Sequence, residues 1–275
     1  MADETTKSTD ATQRIALSLN PVAVLLPAQN AVVLSIEIVD FFTDAVNKAD
    51  LSKKPTNDAT QYKFKSPQIS ADERRAMYEN WIYSKAFQDL MRGVRASLEE
   101  AYLFLELLSK PHSAGSSTTL EEFLTPFKRE AAKLQFPPLL NLVNSKLNPP
   151  LDFVEAYNSL QRARNCMEHR NGVVGDVDAP GGGVMILSFP RVKMFYLRGD
   201  EEIEVEAGHV VDAQDGKDEV QIKMKLDLRE RRFSRYQRLA ITSKDFNEVA
   251  FACNYFAEQL ASKVAAVPPI TAPAA

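Results

Sequence analysis

The chain has 275 residues, of which 45% are hydrophobic and 25% charged, and its formal net charge is −4. That length can bury a sizeable core, and the composition fits neither a disordered nor a membrane profile. The negative balance excludes a global basic field, so a nucleic acid would have to be held by a local patch.

The N-terminal stretch "MADETTKSTD" is polar with no apolar run behind it, which is not the pattern of a signal peptide. No window holds the roughly 18 uninterrupted apolar residues of a bilayer span, so no membrane partner is expected. The two cysteines, Cys166 and Cys253, have no metal-ligand spacing. Free thiols in a reducing compartment account for them, and a cytoplasmic setting is the expectation.

In chain order, residues 1–28 are expected to form a partly disordered extension. Residues 31–49 carry Val32, Ile36, Val39, Phe42 and Val46 at helical spacing, with Ile38, Phe41 and Ala45 widening the apolar face, which predicts a central helix. A second helix opens on a capping box, Ser70 with Glu73, and runs to about Ser109. Trp81 is read as part of its core face. Gly93 is its weak point, at a cost of ~1 kcal/mol against Ala and with a kink expected there. Pro111 and "HSAGSS" stop it.

A third helix can begin at Thr118 or Thr119, each followed three residues later by Glu, and Pro126, Pro137 and Pro138 predict that it is broken into pieces. A fourth runs from about Leu151 to His169 and ends on Asn171-Gly172, a left-handed stop. Residues 173–183 read as a linker, with "APGGGV" flexible.

Beyond the linker the pattern changes to strands. "VMILSFPRVKMFYL" predicts two short strands or one bulged edge strand around Pro190. "EIEVE" alternates within an acidic stretch, 198–208, expected as an exposed edge whose charge discourages aggregation. Asp215-Gly216 signals a hairpin turn, and "VQIKMKLDL" predicts a strand with one wet face. A closing helix at 243–264 carries Phe246, Val249, Ala250, Cys253, Phe256, Ala257, Leu260 and Val264 as one apolar stripe. The tail 265–275 is expected to be disordered. The layout is α+β and mainly helical: a bundle at 29–172, then antiparallel strands and a closing helix at 184–264 packed on it.

The densest polar cluster, "RARNCMEHRNG" at 162–172, stands at the end of the fourth helix. Cationic residues there complement the helix dipole, which gives the cluster a structural role without any chemistry. Arg164 and His169, five residues apart, are rotated by about 140° and would not face the same way on one helix. Asn165 and His169 would. Arg164 and Glu168 can pair on the surface.

The same residues, as "RNCMEH", resemble the R-X4-6-H signature of the HEPN superfamily, placed on the last helix of a mainly helical domain. The resemblance covers about 30–172, and the strand-rich portion at 184–242 would be an elaboration. It implies a metal-independent endoribonuclease, commonly a homodimer whose motif helices face each other. In that reading His169 moves a proton near neutral pH, Arg164 sets a guanidinium against the phosphorane, and Asn165 binds a phosphate oxygen or orients the histidine. Glu168 and Arg170 depart from the small or apolar residues usual there. Glu168 would have to turn away, onto Arg164 or Arg170. The alternative is a non-catalytic helical module that binds a nucleotide, nucleic acid or protein.

"RERRFSRYQR" at 229–238 is a second candidate surface for RNA, through Arg231, Arg232, Arg235 and Tyr236, since arginines with interleaved aromatics suit a single strand. Its bland counterpart is a solvated basic strand end whose aromatics pack inward. His112 and His209 receive no role. No metal and no cofactor are expected, and "APGGGV" lacks the Lys-Ser/Thr of a phosphate loop.

Overall fold

In a computed structural model, which describes residues 19–53, 68–109, 119–179, 181, 183–206, 208 and 220–268, the chain is α+β with helices dominant. Among those residues the order is α1 (Val22–Lys48), α2 (Ala71–Ser109), α3 (Leu120–Lys133), α4 (Phe136–Asn144), α5 (Val154–Arg170), β1 (Val184–Arg198), β2 (Glu201–Glu204), β3 (Lys223–Ser234) and α6 (Ser243–Ala265). The expected turn at Asp215-Gly216, His112, His209, residues 1–18 and the end of the tail lie outside the described residues.

Helix α1 begins nine residues earlier than expected, so residues 22–28 belong to it and not to an extension. It runs through Pro27 because a neighbour takes over the local bonding: the Ala28 N–H donates to the buried Ser97 hydroxyl of α2 at 3.0 Å. Val32 and Val39 are buried, but Ile38, Phe41 and Phe42 face solvent, Phe41 at 69% exposure, so the apolar face is narrower than its composition implies. Length and hydropathy alone would let α1 cross a bilayer. Here it packs against α2 and α6.

The capping box of α2 forms as expected: Ser70 N–H donates to Glu73 Oε2 at 2.8 Å, and Glu73 N–H to Ser70 Oγ at 3.2 Å. Gly93 does not end or split the helix. The helix is unbroken, and a Cβ on Gly93 would lie 2.5 Å from Ala31 Cβ and 2.9 Å from the Pro27 carbonyl oxygen, so the glycine lets α1 and α2 touch. Trp81 is a correction as well: it is 63% exposed and no part of the core. The third helical region divides as the prolines require. Thr119 caps α3 through a box with Glu122, Pro126 is absorbed inside it, and Pro137 stands in the first turn of α4.

The sheet order is β2-β1-β3, antiparallel throughout. β1 is one continuous central strand, not two pieces or an edge. Pro190 is tolerated because β2 pairs only with Phe195–Arg198, so β1 has an open side at Pro190 where no ladder N–H is needed. On that open side the Ser159 hydroxyl of α5 accepts the Ser188 N–H at 2.8 Å, which ties the bundle to the sheet. β3 alternates as expected, with the faces inverted. Met224, Leu226 and Leu228 point outward, and Asp227, Arg229 and Arg231 share the inner face with buried Phe233. The acidic β2 is an edge, but Glu202 and Glu204 are paired, with Lys193 and Lys225 and with Arg191 and Arg229 respectively.

All the apolar positions expected of α6 are buried, and they join the helices and the inner face of β1 in one continuous core. Within the stretch read as a linker, the described residues are tied to the body: Val174 and Ala179 are buried, Val174 N–H donates to the Gln237 carbonyl at 3.0 Å, and the Gly183 carbonyl accepts from Arg235 N–H at 2.8 Å.

Candidate nucleic-acid interface

Helix α5 divides its residues by period. Ala156, Tyr157, Leu160, Ala163, Cys166 and Met167 are buried in the core. The opposite stripe, Asn158, Gln161, Arg162 and Asn165, follows i, i+3, i+4, i+7 spacing and faces out. Asn171 (φ 51°) and Gly172 (φ 74°) end the helix in the left-handed conformation, with Gly172 N–H on the Cys166 carbonyl at 3.1 Å, the stop that Asn-Gly predicts.

The polar stripe forms one wall of a groove of about 470 Å³. α2 supplies Met91, Arg92 and Arg95, and the α3–α4 junction supplies Gln135, Phe136 and Pro137. Among the described residues, four arginines and four side-chain amides line it, and no carboxylate does. Three of these arginines are paired with carboxylates that stand outside the lining, which leaves Arg162 as the cation without such a partner among the described residues.

The four arginines differ in how free they are. Arg95 is structural: it holds Glu99 at 2.6 Å and donates to the Ala131 and Leu134 carbonyls at 3.0 and 2.7 Å, which satisfies the end of α3. Arg92 pairs with Asp89 at the surface. Arg164 pairs with Glu168 and donates to Asn165 Oδ1 at 3.2 Å. Arg162 is exposed and, among the described residues, has no acidic partner. Asn165 Oδ1 also accepts from Gln161 Nε2 at 2.9 Å, so its own amide nitrogen is left to donate. Asn158 Oδ1 is buried in the wall without a hydrogen-bond donor, a condition that costs roughly 1–3 kcal/mol unless a ligand or water meets it.

Of the sequence-predicted residues, Arg164 and Asn165 stand in the groove, and His169 lies just beyond it with its side chain 61% exposed. Glu168 connects them. Its Oε2 is the partner of Arg164 and lies 3.6 Å from His169 Nε2. Glu168 thus stands between the two side chains, hydrogen-bond close to Arg164 and at a longer, non-hydrogen-bonded distance from His169. Arg170 turns the other way, bidentate onto buried Asp178, whose Oδ2 also accepts the Gly175 N–H at 2.9 Å. Burial pushes the Cys166 thiol up to about 11 and the Cys253 thiol to about 12, so neither is a thiolate nucleophile at neutral pH.

The second cluster does not form one surface. Arg231 is spent on Asp245, at 3.0 and 2.9 Å, where Asp245 completes the capping box of α6 with Thr242. Arg232 points to the opposite face of β3 and is exposed beside Glu230. Arg235 pairs with Asp176 and sits 5.0 Å over the ring of Tyr236, which is exposed at positive φ. Tyr236 and Arg238 flank the C-terminus of α5: Tyr236 N–H donates to the Val174 carbonyl at 2.8 Å, and Arg238 Nη1 to the Asn171 carbonyl at 2.9 Å. Among the described residues no group of three or more His, Cys, Asp or Glu side chains is arranged to hold a metal ion.

Arg92, Arg95, Asn158 and Gln161 were not singled out from the sequence. The polar stripe of α5 was detectable by the same period that reveals apolar faces. Its juxtaposition with Arg92 and Arg95 is a tertiary fact. No family model, curated protein or solved structure matches the chain.

Proposed function

We propose that the chain is a HEPN-like, metal-independent endoribonuclease in which Arg164, Asn165 and His169 act on single-stranded RNA. The observation that carries this reading is the single anionic oxygen, Glu168 Oε2, against which Arg164 and His169 converge. A guanidinium and an imidazole on either side of one carboxylate can close on a phosphate oxygen once the carboxylate swings aside.

The chemistry follows from the side chains. His169 as a neutral imidazole takes the proton of a ribose 2′-hydroxyl, whose oxygen attacks the adjacent phosphorus. The bond to the 5′-oxygen breaks, that oxygen leaves with a proton, and a 2′,3′-cyclic phosphate remains. Arg164 offsets the charge of the crowded phosphorane, and the free amide nitrogen of Asn165 is placed to donate to a nonbridging oxygen. One histidine holds one proton at a time. A homodimer with facing α5 helices would bring a second imidazole to the leaving group. The two buried free thiols suit a reducing, cytoplasmic setting.

A second reading, a non-catalytic module that binds a nucleotide or nucleic acid in the same groove, draws on Glu168 as well, since its carboxylate neutralises Arg164 in the resting state. The deciding experiment is RNA cleavage in the presence of a chelator, wild type against His169→Ala, with the ends examined for cyclic phosphate. Chelator-resistant cleavage that His169→Ala abolishes at unchanged thermal stability supports the enzyme. Equal activity in both proteins removes His169 from the chemistry.

A further inference from the structure

We infer that the carboxylate-free groove between α2 and α5 seats one nucleotide of single-stranded RNA beside the one on which Arg164 and His169 act, with its phosphate on Arg92 and Arg162 and its hydrogen-bonding edge on Asn158. This rests on the RNA reading above and adds to it a binding subsite with its own residues.

Three observations carry it. Arg164 belongs both to the groove and to the contact with Glu168 and His169, so a strand that passes Arg164 runs into the groove. Arg162 is exposed with no acidic partner among the described residues, and Arg92 is held by a solvent-exposed pair with Asp89, which solvent and salt weaken. Asn158 lines the groove, and its Oδ1 is a buried acceptor with no donor among the described residues, a hydrogen bond that an exocyclic amine or a ribose hydroxyl would supply on a small turn of the side chain. The volume, about 470 Å³, lies within the ~300–1,000 Å³ range of small-molecule sites. It is room for one nucleotide.

The test uses the full chain carrying His169→Ala, so that RNA is bound and not cut, with fluorescence anisotropy of a short labelled single strand over a salt series. Arg92→Gln with Arg162→Gln should weaken binding by about tenfold and flatten the slope of log affinity against log salt by ~0.7 for each arginine removed. The same sequence as a duplex should bind more weakly than the single strand. Asn158→Leu should keep the slope and level the affinities of different homopolymers; if their differences persist unchanged, Asn158 is not part of the subsite. Both arginines are at the surface, so a thermal melt suffices to check the fold. An unchanged affinity and slope in the double variant overturns the inference, as does loss of binding in Arg231→Gln, Arg232→Gln, Arg235→Gln alone. The two readings separate cleanly. Groove-dependent binding without cleavage by the wild type sinks the enzyme and leaves the subsite. Cleavage whose KM ignores Arg92 and Arg162 does the reverse.

Discussion

Arg238 Nη1 donates to the carbonyl oxygen of Asn171 at 2.9 Å, across 67 residues of sequence, and so joins the end of β3's connector to the end of α5. The Asn171 carbonyl belongs to the turn where α5's last carbonyls run out of backbone partners, and a guanidinium there answers both the hydrogen bond and the dipole. The adjacent bridge, Leu239 N–H to the Gly172 carbonyl at 2.7 Å, makes the junction two-pointed. Arg238→Ala should therefore cost ~1 kcal/mol rather than unfold the chain. Thermal melting should show a drop of about 2–4 °C. A melt indistinguishable from wild type would mean that the backbone bridge alone holds the junction.

Gly93→Ala should destabilise the protein, against the usual sign. In an exposed helix the change gains ~1 kcal/mol. Here the new methyl would meet Ala31 Cβ at 2.5 Å and the Pro27 carbonyl at 2.9 Å, and the second neighbour is backbone and cannot rotate away. Overpacking of this kind costs ~1–3 kcal/mol. The urea midpoint should fall, and Ala31→Gly should restore only part of it, because Pro27 remains. A raised midpoint in Gly93→Ala would contradict the close contact.

Acid should loosen the sheet at a definite place. The hydrogen bonds from Arg191, reinforced by its charge and those of Arg229 and Lys244, hold the Glu204 carboxyl at about 2 against an ordinary 4.5. A carboxyl whose folded pKa is depressed contributes stability that is fully present above its unfolded value and is lost as pH falls through the folded one. The window here runs from about 4.5 down to about 2. Wild type should lose stability through that range in urea titrations. Glu204→Gln should start lower at neutral pH and fall less steeply. Parallel profiles for the two proteins would place the acid sensitivity elsewhere.

How much of this was legible beforehand differs by residue. Ser70, Thr119 and Asn171-Gly172 declared helix ends because capping is local, decided within four residues. The buried stripe of α6 was legible for the same reason, as a period on one helix. Phe41, Phe42 and Trp81 were misread because apolarity does not say which side of a helix is covered. Pro190 was misread because its tolerance depends on how far β2 reaches along β1, which no strand pattern records. In the groove, Arg164 and Asn165 were legible from their own helix. Arg92 and Arg95 were not, since they become neighbours of α5 only after α2 packs beside it. The position of the Glu168 carboxylate between Arg164 and His169 depends on its rotamer, beyond the reach of helical geometry.

Glu168 is the residue on which the two functional readings divide most directly. As a carboxylate on Arg164 it occupies the guanidinium that a phosphate would need, so in the RNA reading a phosphate has to displace it. Glu168→Gln removes the charge and keeps the shape. In the His169→Ala background, affinity for single-stranded RNA should rise by about three- to tenfold, and the salt slope should steepen by ~0.7 as one more cation becomes available. Adding Arg164→Gln should abolish the gain, because the two side chains act as one unit. Both partners are partly exposed, so the melt should move little. A fall in affinity on Glu168→Gln would mean that the carboxylate holds Arg164 in its working position, and the seat between Arg164 and His169 would belong to Glu168 and not to phosphate.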